Sequence, residues 1–240
     1  QFPEKIGFIT YNTSNNSWSA LFNAFSDLNT THAPSIPKAF YDTQKQNAVI
    51  AWDDFRNGSY EIYFNRFDLY TGTPSFTKTM NNIVEQNDIQ VSDNYPNEFP
   101  QIFWRAKALV FDEMKKTYSF AYSETKNANG LKTYELVIKK FENNSGSKLP
   151  ETVVVSSFNN GFHWGISLFT DKFGKFYIFF PDISAMTASG AGNYLLKSYD
   201  NSLNFIQEKT IRSFAEKLGL PTPEFGPSQV VACNIENISY

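Results

Sequence analysis

Each of three stretches that read as second strands ends with an aromatic ring two residues before a carboxylate: Trp52 with Asp54, Tyr122 with Glu124, and Phe180 with Asp182. Each pair ends an apolar, alternating stretch. In a strand, residues two apart share a face, so ring and acid would stand side by side. That combination suits a sugar, because the ring's electron-rich face takes the pyranose C–H groups while the carboxylate accepts hydroxyl protons. Arg56, in the turn after Asp54, and His32, His163 and Trp164 fall in connections expected to open on the same side. The candidate ligand-binding set is therefore Asp54, Arg56, Glu124, Asp182, His163 and Trp164. A structural alternative exists for each. Acids at strand ends accept N–H bonds from neighbouring turns, and Trp52, Tyr122 and Phe180 could serve as packing residues.

Catalysis asks for more. Glycoside hydrolysis needs two carboxylates roughly 5–10 Å apart across the scissile bond. Asp42, Asp112 and Asp171 close the far ends of apolar stretches, which is poor placement for a central pair. Asp93 and Glu98 are further acids that no spacing singles out. There is no P-loop, Ser-His-Asp order or zinc-binding helix motif. The Gly-rich run "MTASGAGN" at 186–193 has no strand-to-helix context and reads as a hairpin loop. With one cysteine and two histidines, neither an intrachain disulfide nor a Cys- or His-rich metal site is available. Cys233, in "SQVVACNI", reads as a small buried hydrophobe. No cofactor is implied.

Composition narrows the partners. A net charge of −3 and four arginines (Arg56, Arg66, Arg105, Arg212) argue against nucleic acid, whose phosphates require clustered cations. No apolar run reaches the roughly 18 residues of a membrane-spanning helix. The N-terminus "QFPEKIGF" has no basic segment followed by an apolar block, so this chain shows no signal peptide. Six N-x-S/T sequons occur, at Asn12, Asn15, Asn29, Asn57, Asn143 and Asn237, with Asn12, Asn57 and Asn143 taken as glycosylation candidates. Extracellular or cell-surface placement is the expectation.

The elements that would position these residues are strands. Aromatics reach 17%, and such residues favour half-buried pleated surfaces. "NAVIAW" and the alternating "YEIYFNRF" flank "RNGS", where Asn57-Gly58 predicts a type I′ hairpin. "PSIPKAFYD" at 34–42 precedes them, making a meander. The same order returns at 100–112, 117–124, 133–141 and 151–157, then at 163–171, 175–182, 193–200 and 204–211. Ile36, Ile102, Ile166 and Val230 are spaced by 66, 64 and 64 residues. Approximate repeats cover 1–30 (partial), 31–98, 99–162, 163–226 and 227–240 (partial). Blades of three or four antiparallel strands at a repeat near 65 residues predict an all-β fold, a β-propeller. A β-sandwich is the alternative. One helix is predicted, over 211–219, before a last strand at 228–235. The partial blades at the two ends fit either a small closed ring or a piece of a larger propeller.

The stretch "PSIPKAFYDTQKQNAVIAWDDFRNGSYEIYFNRFD" resembles blades of sialidase-like β-propellers, in which such a first strand leads into a "W-x-D-x-R-N-G-x-x-x-I-Y" hairpin. The resemblance implies blade architecture. The Asp-box S-x-D-x-G-x-x-W and the Arg-Ile-Pro motif of that family are absent, so it does not imply sialidase activity. The expected function is a non-catalytic propeller module binding glycan or protein. The alternatives are a propeller-type glycoside hydrolase and a structural subunit whose open strand edges pair with an oligomer partner or a larger parent chain.

Overall fold

The computed structural model describes residues 6–24, 35–42, 44–93, 107–158, 165–182 and 194–211. His32, Glu98, His163, Trp164, Cys233, the 186–193 loop, the 228–235 strand and the helix predicted beyond Ile211 lie outside the described residues. Every regular element among those described is a β-strand. None of them is a helix long and apolar enough to cross a membrane. The chain divides into two compact units, residues 1–102 with 144–146, and residues 103–143 with 147–240.

Unit one begins with two nested ribbons. β1 (Gly7–Phe8) and β2 (Tyr11–Asn12) run out, and β3 (Ser17–Trp18) and β4 (Phe22–Asn23) run back, with β1 pairing β4 and β2 pairing β3. β5 (Ser35–Asp42), β6 (Asn47–Asp54) and β7 (Glu61–Asp68) form a meander. A third two-stranded ribbon follows, β8 (Thr77–Met80) with β9 (Ile83–Gln86), turned by Asn81 and Asn82, both at positive φ. β10 (Ile89–Gln90) then pairs with β7 to complete a four-stranded antiparallel sheet. By register, Ala48, Ile50, Trp52 and Asp54 share one face with Phe67, Asn65, Tyr63 and Glu61. Ile6, Phe8 and Ala24 pack on this face against Ile50, Trp52, Tyr63 and Phe67. Trp52 is fully buried there; a buried aromatic of this size is worth about 2–3 kcal/mol relative to exposure.

Unit two holds two complete four-strand meanders. The first runs β11 (Lys107–Asp112), β12 (Thr117–Ala128), β13 (Leu131–Glu142) and β14 (Lys148–Phe158). The second runs β15 (Ser167–Thr170), β16 (Phe176–Pro181), β17 (Tyr194–Tyr199) and β18 (Phe205–Ile211). A single core joins them: Ala121, Leu136 and Ile138 of the first sheet meet Leu168, Phe176, Ile178 and Phe180 of the second.

Aspartates close the tight turns. Asp42 accepts the N–H groups of Gln44 and Lys45, and Asp112 those of Met114 and Lys115, all at 3.0–3.1 Å. Asp68, Asp171 and Asp200 do the same with Tyr70 and Thr71, Phe173 and Lys175, and Ser202 and Asn204. Such side-chain acceptors mimic a backbone turn and tie the chain down where the strand ladder ends.

The Asn57-Gly58 turn differs from its prediction. Only Gly58 has positive φ (78°), and Asp54 pairs with Glu61 across a six-residue loop, so the turn is not a two-residue type I′. The N–H of Gly58 bonds to the Phe55 carbonyl at 3.1 Å, because Asp54 has already captured the Arg56 N–H and drawn the loop open. The type I′ geometry sits instead at Asn129 (φ 52°) and Gly130 (φ 77°), joining β12 to β13. Those strands consequently run longer than the predicted 117–124 and 133–141.

Candidate functional site

Asp54 ends β6 with its side chain fully buried. Its Oδ1 accepts the backbone N–H of Arg56 at 3.0 Å. Its Oδ2 accepts Nε and Nη2 of the same arginine at 2.8 and 2.6 Å, and the Trp52 indole N–H at 3.4 Å. The aromatic and the acid two residues on are thus in direct contact, as the strand period requires. Arg56 Nη2 also donates to Asp88 Oδ2 at 3.0 Å, so one guanidinium bridges two carboxylates.

Asp88 is itself held, its Oδ1 accepting Nδ2 of Asn65 at 3.0 Å and Nε2 of Gln86 at 2.6 Å. The guanidinium lies 4.1 Å from the centroid of the Tyr63 ring, whose hydroxyl accepts Nδ2 of Asn57 at 2.7 Å. Burial alone would lower the Arg56 pKa; Asp88 and then Asp54 outweigh it and hold it above its ordinary value. Burial pushes the Tyr63 phenol up, Arg56 pulls it back, and Asp54, Glu61 and Asp88 add to the rise.

What remains open to solvent is the loop itself. Phe55 is 38% exposed, and its ring packs against that of Tyr60, centroids 5.0 Å apart and tilted by 57°. Asn57 and Gly58 are exposed between them. The buried triad of two acids and one arginine therefore works as an anchor, and the loop presents an aromatic pair beside an amide.

The same strand position in unit two is built differently. The Tyr122 hydroxyl donates to Glu124 Oε1 at 2.8 Å, and Lys139 Nζ reaches the same oxygen at 2.5 Å. Register places Tyr122, Glu124 and Lys139 on the face of β12 and β13 turned away from the core that Ala121, Leu136 and Ile138 form. Glu124 is 3% exposed. Phe180 is fully buried and has no polar atom to offer Asp182, which is half-buried beyond the end of β16.

The structure thus brings Asp54 and Arg56 together, and puts Glu124 in an ion pair of its own. Asp88, Tyr63 and Lys139 were not singled out by sequence. Lys139 left a signal: a lysine inside the apolar alternation "YELVIKKF" must find a partner or solvent. Among the sequons, Asn57 is exposed, Asn12 half-buried, and Asn143 only 3% exposed. Among the described residues no three His, Cys, Asp or Glu side chains cluster as a metal site would require.

No family model matches the sequence, and no curated protein matches it. Among solved structures it is similar to an N-acetylgalactosamine deacetylase from F. plautii, solved in complex with blood group B trisaccharide, at 11% identity and a TM-score of 0.43. That likeness covers 75% of this chain and 53% of the other. It is also similar to an exo-β-1,3-galactanase from Phanerochaete chrysosporium, solved with β-1,3-galactotriose, at 10% identity and a TM-score of 0.43. There it covers 88% of this chain and 48% of the other. The chain spans about half the length of these structures.

Proposed function

We propose that this chain is a β-propeller segment that binds a glycan at an extracellular or cell surface without cleaving it. The propeller reading is supported by one relationship that recurs inside both units. In unit one, the face of β6 bearing Trp52 receives the preceding ribbon through Ile6, Phe8 and Ala24. In unit two, the corresponding face of β16, bearing Phe180, receives the preceding sheet through Ala121, Leu136 and Ile138. Each meander covers its aromatic face with the strands before it, as successive blades do.

The binding reading rests on one observation: two of the three candidate carboxylates are already spent. Asp54 is fully buried and bonded to Arg56 and Trp52, and Glu124 is bonded to Lys139 and Tyr122. A general acid or nucleophile has to reach the substrate. The Phe55–Tyr60 pair with Asn57 is the part of this site a sugar can touch. Calorimetry with neutral oligosaccharides tests the proposal together with a reducing-sugar assay. Binding without hydrolysis, weakened in a Phe55→Ala/Tyr60→Ala variant, supports it. Sugar release that is lost in Asp182→Asn would instead establish the hydrolase.

A further inference from the structure

We infer a second carbohydrate-stacking site on the β2–β3 ribbon, a platform made by Trp18 with Tyr11 for a neutral sugar ring; it rests on the glycan-binding reading above. Tyr11 and Trp18 are directly paired across the ribbon, and their ring centroids lie 4.8 Å apart at 47°. Trp18 is 65% exposed and Tyr11 44%. Trp52, by contrast, is fully buried. The cross-strand contact explains why Tyr11 is where it is. It leaves most of the indole against water, and Trp and Tyr are residue types enriched at interaction surfaces.

The surroundings select the ligand. Residues 6–24 contain no charged side chain, in a chain whose charged fraction is 19%. Nucleic acid and anionic membrane both need cations that this ribbon lacks. It offers amides and hydroxyls instead. The Tyr11 hydroxyl donates to Asn16 Oδ1, Ser17 Oγ donates to Asn15 Oδ1 at 2.7 Å, and Asn12 Oδ1 accepts the Ser14 N–H at 2.9 Å. These bonds set the turn and leave amide donors beside the rings. Asn16 holds a left-handed φ of 56° to make the turn. A pyranose matches this array: its axial C–H groups meet the negative face of the indole, and its hydroxyls exchange hydrogen bonds with neutral donors and acceptors. One indole face covers one or two sugar units, which corresponds to a dissociation constant of about 1 mM.

The test is a titration of the uniformly 15N-labelled chain with maltotriose, cellotriose and β-galactotriose, following the indole N–H signals. The Trp18 signal is identified by its disappearance in Trp18→Phe. At least one sugar is expected to move it saturably. Trp18→Ala should weaken that sugar about tenfold, and Trp18→Tyr should recover most of the loss. Trp18 is exposed, so unchanged melting of each variant keeps the comparison clean. Sugar binding that leaves the Trp18 signal still and survives Trp18→Ala, yet falls in Phe55→Ala/Tyr60→Ala, overturns the platform and keeps the first site. No binding of any of the three by signal shift or calorimetry overturns both. Concentration-dependent association abolished by Trp18→Ala also overturns the platform, assigning the indole to a protein contact.

Discussion

Glu124 and Lys139 meet at 2.5 Å across the β12–β13 hairpin, with side chains only 4% and 5% exposed. Tyr122 completes the group by donating to the same carboxylate oxygen. Two opposite charges this deeply withdrawn from water satisfy each other, while either one alone would be left charged in a poor solvent.

Lys139→Met is therefore expected to destabilise unit two by about 3–5 kcal/mol, through the stranded Glu124 rather than through lost packing. The double variant Glu124→Leu/Lys139→Met should recover most of that loss. Urea unfolding of the two single variants and the double closes the cycle. A double variant no better than Lys139→Met would show that shape, not charge, carries the pair.

The aspartates that close turns make a pH prediction. Backbone N–H bonds from Thr71 and Tyr70 hold Asp68 below the usual carboxylate value, and the Asn204 side chain and N–H do the same for Asp200. A depressed folded value means the contribution is fully present above the unfolded value of about 4 and disappears as pH falls through the lower folded value. Asp68→Ala and Asp200→Ala should therefore melt below the parent at pH 7 and converge with it near pH 2. A gap that persists at pH 2 would assign the effect to turn propensity alone.

Burial, with Glu208 adding to it, pushes the Tyr199 phenol up to about 12. A raised value reverses the window: the stability it brings is complete below the unfolded value of about 10 and is lost as pH rises towards 12. Between pH 8 and 11 the parent should lose about 1.4 kcal/mol that Tyr199→Phe does not. Chemical unfolding of both proteins at pH 8 and pH 11 measures the difference. Parallel losses would mean that Tyr199 ionises as a solvated phenol.

The meanders were legible because their apolar residues alternate and their turns carry Asp, Asn and Gly. The strands at 175–182 and 204–211 differ from β16 and β18 by a residue or so. The Trp52–Asp54 contact was legible too, since residues two apart must share a face. What sequence could not supply was the third partner. Asp88 reaches Arg56 only after the β8–β9 ribbon returns the chain to β10, 32 residues later. Neither local propensity nor periodicity encodes that return. The turn error at Asn57-Gly58 has the same origin: a side-chain bond from Asp54 overrode a strong dipeptide preference. The exposed Trp18 was missed for the opposite reason, because an aromatic in a strand reads as core until its burial is known.

Gly58 and Gly72 separate backbone strain from steric clash. Both hold left-handed φ, +78° and +69°, which L side chains adopt at a cost of about 1 kcal/mol. Around Gly58 nothing lies within 4 Å of an added Cβ. At Gly72 the added carbon would overlap the Phe22 ring, so the N-terminal ribbon would have to shift. Gly58→Ala should therefore cost about 1 kcal/mol, and Gly58→Asn less, because Asn tolerates this region. Gly72→Ala should cost about 1–3 kcal/mol more than Gly58→Ala, the added penalty being that of overpacking. Phe22→Ala removes the obstacle, so the double variant Gly72→Ala/Phe22→Ala should be more stable than the sum of the single losses predicts. Strictly additive losses would mean that the β4 ribbon does not rest on the 68–73 turn, and the contacts of Phe8 with Phe22 and with Phe67 would have to be redrawn.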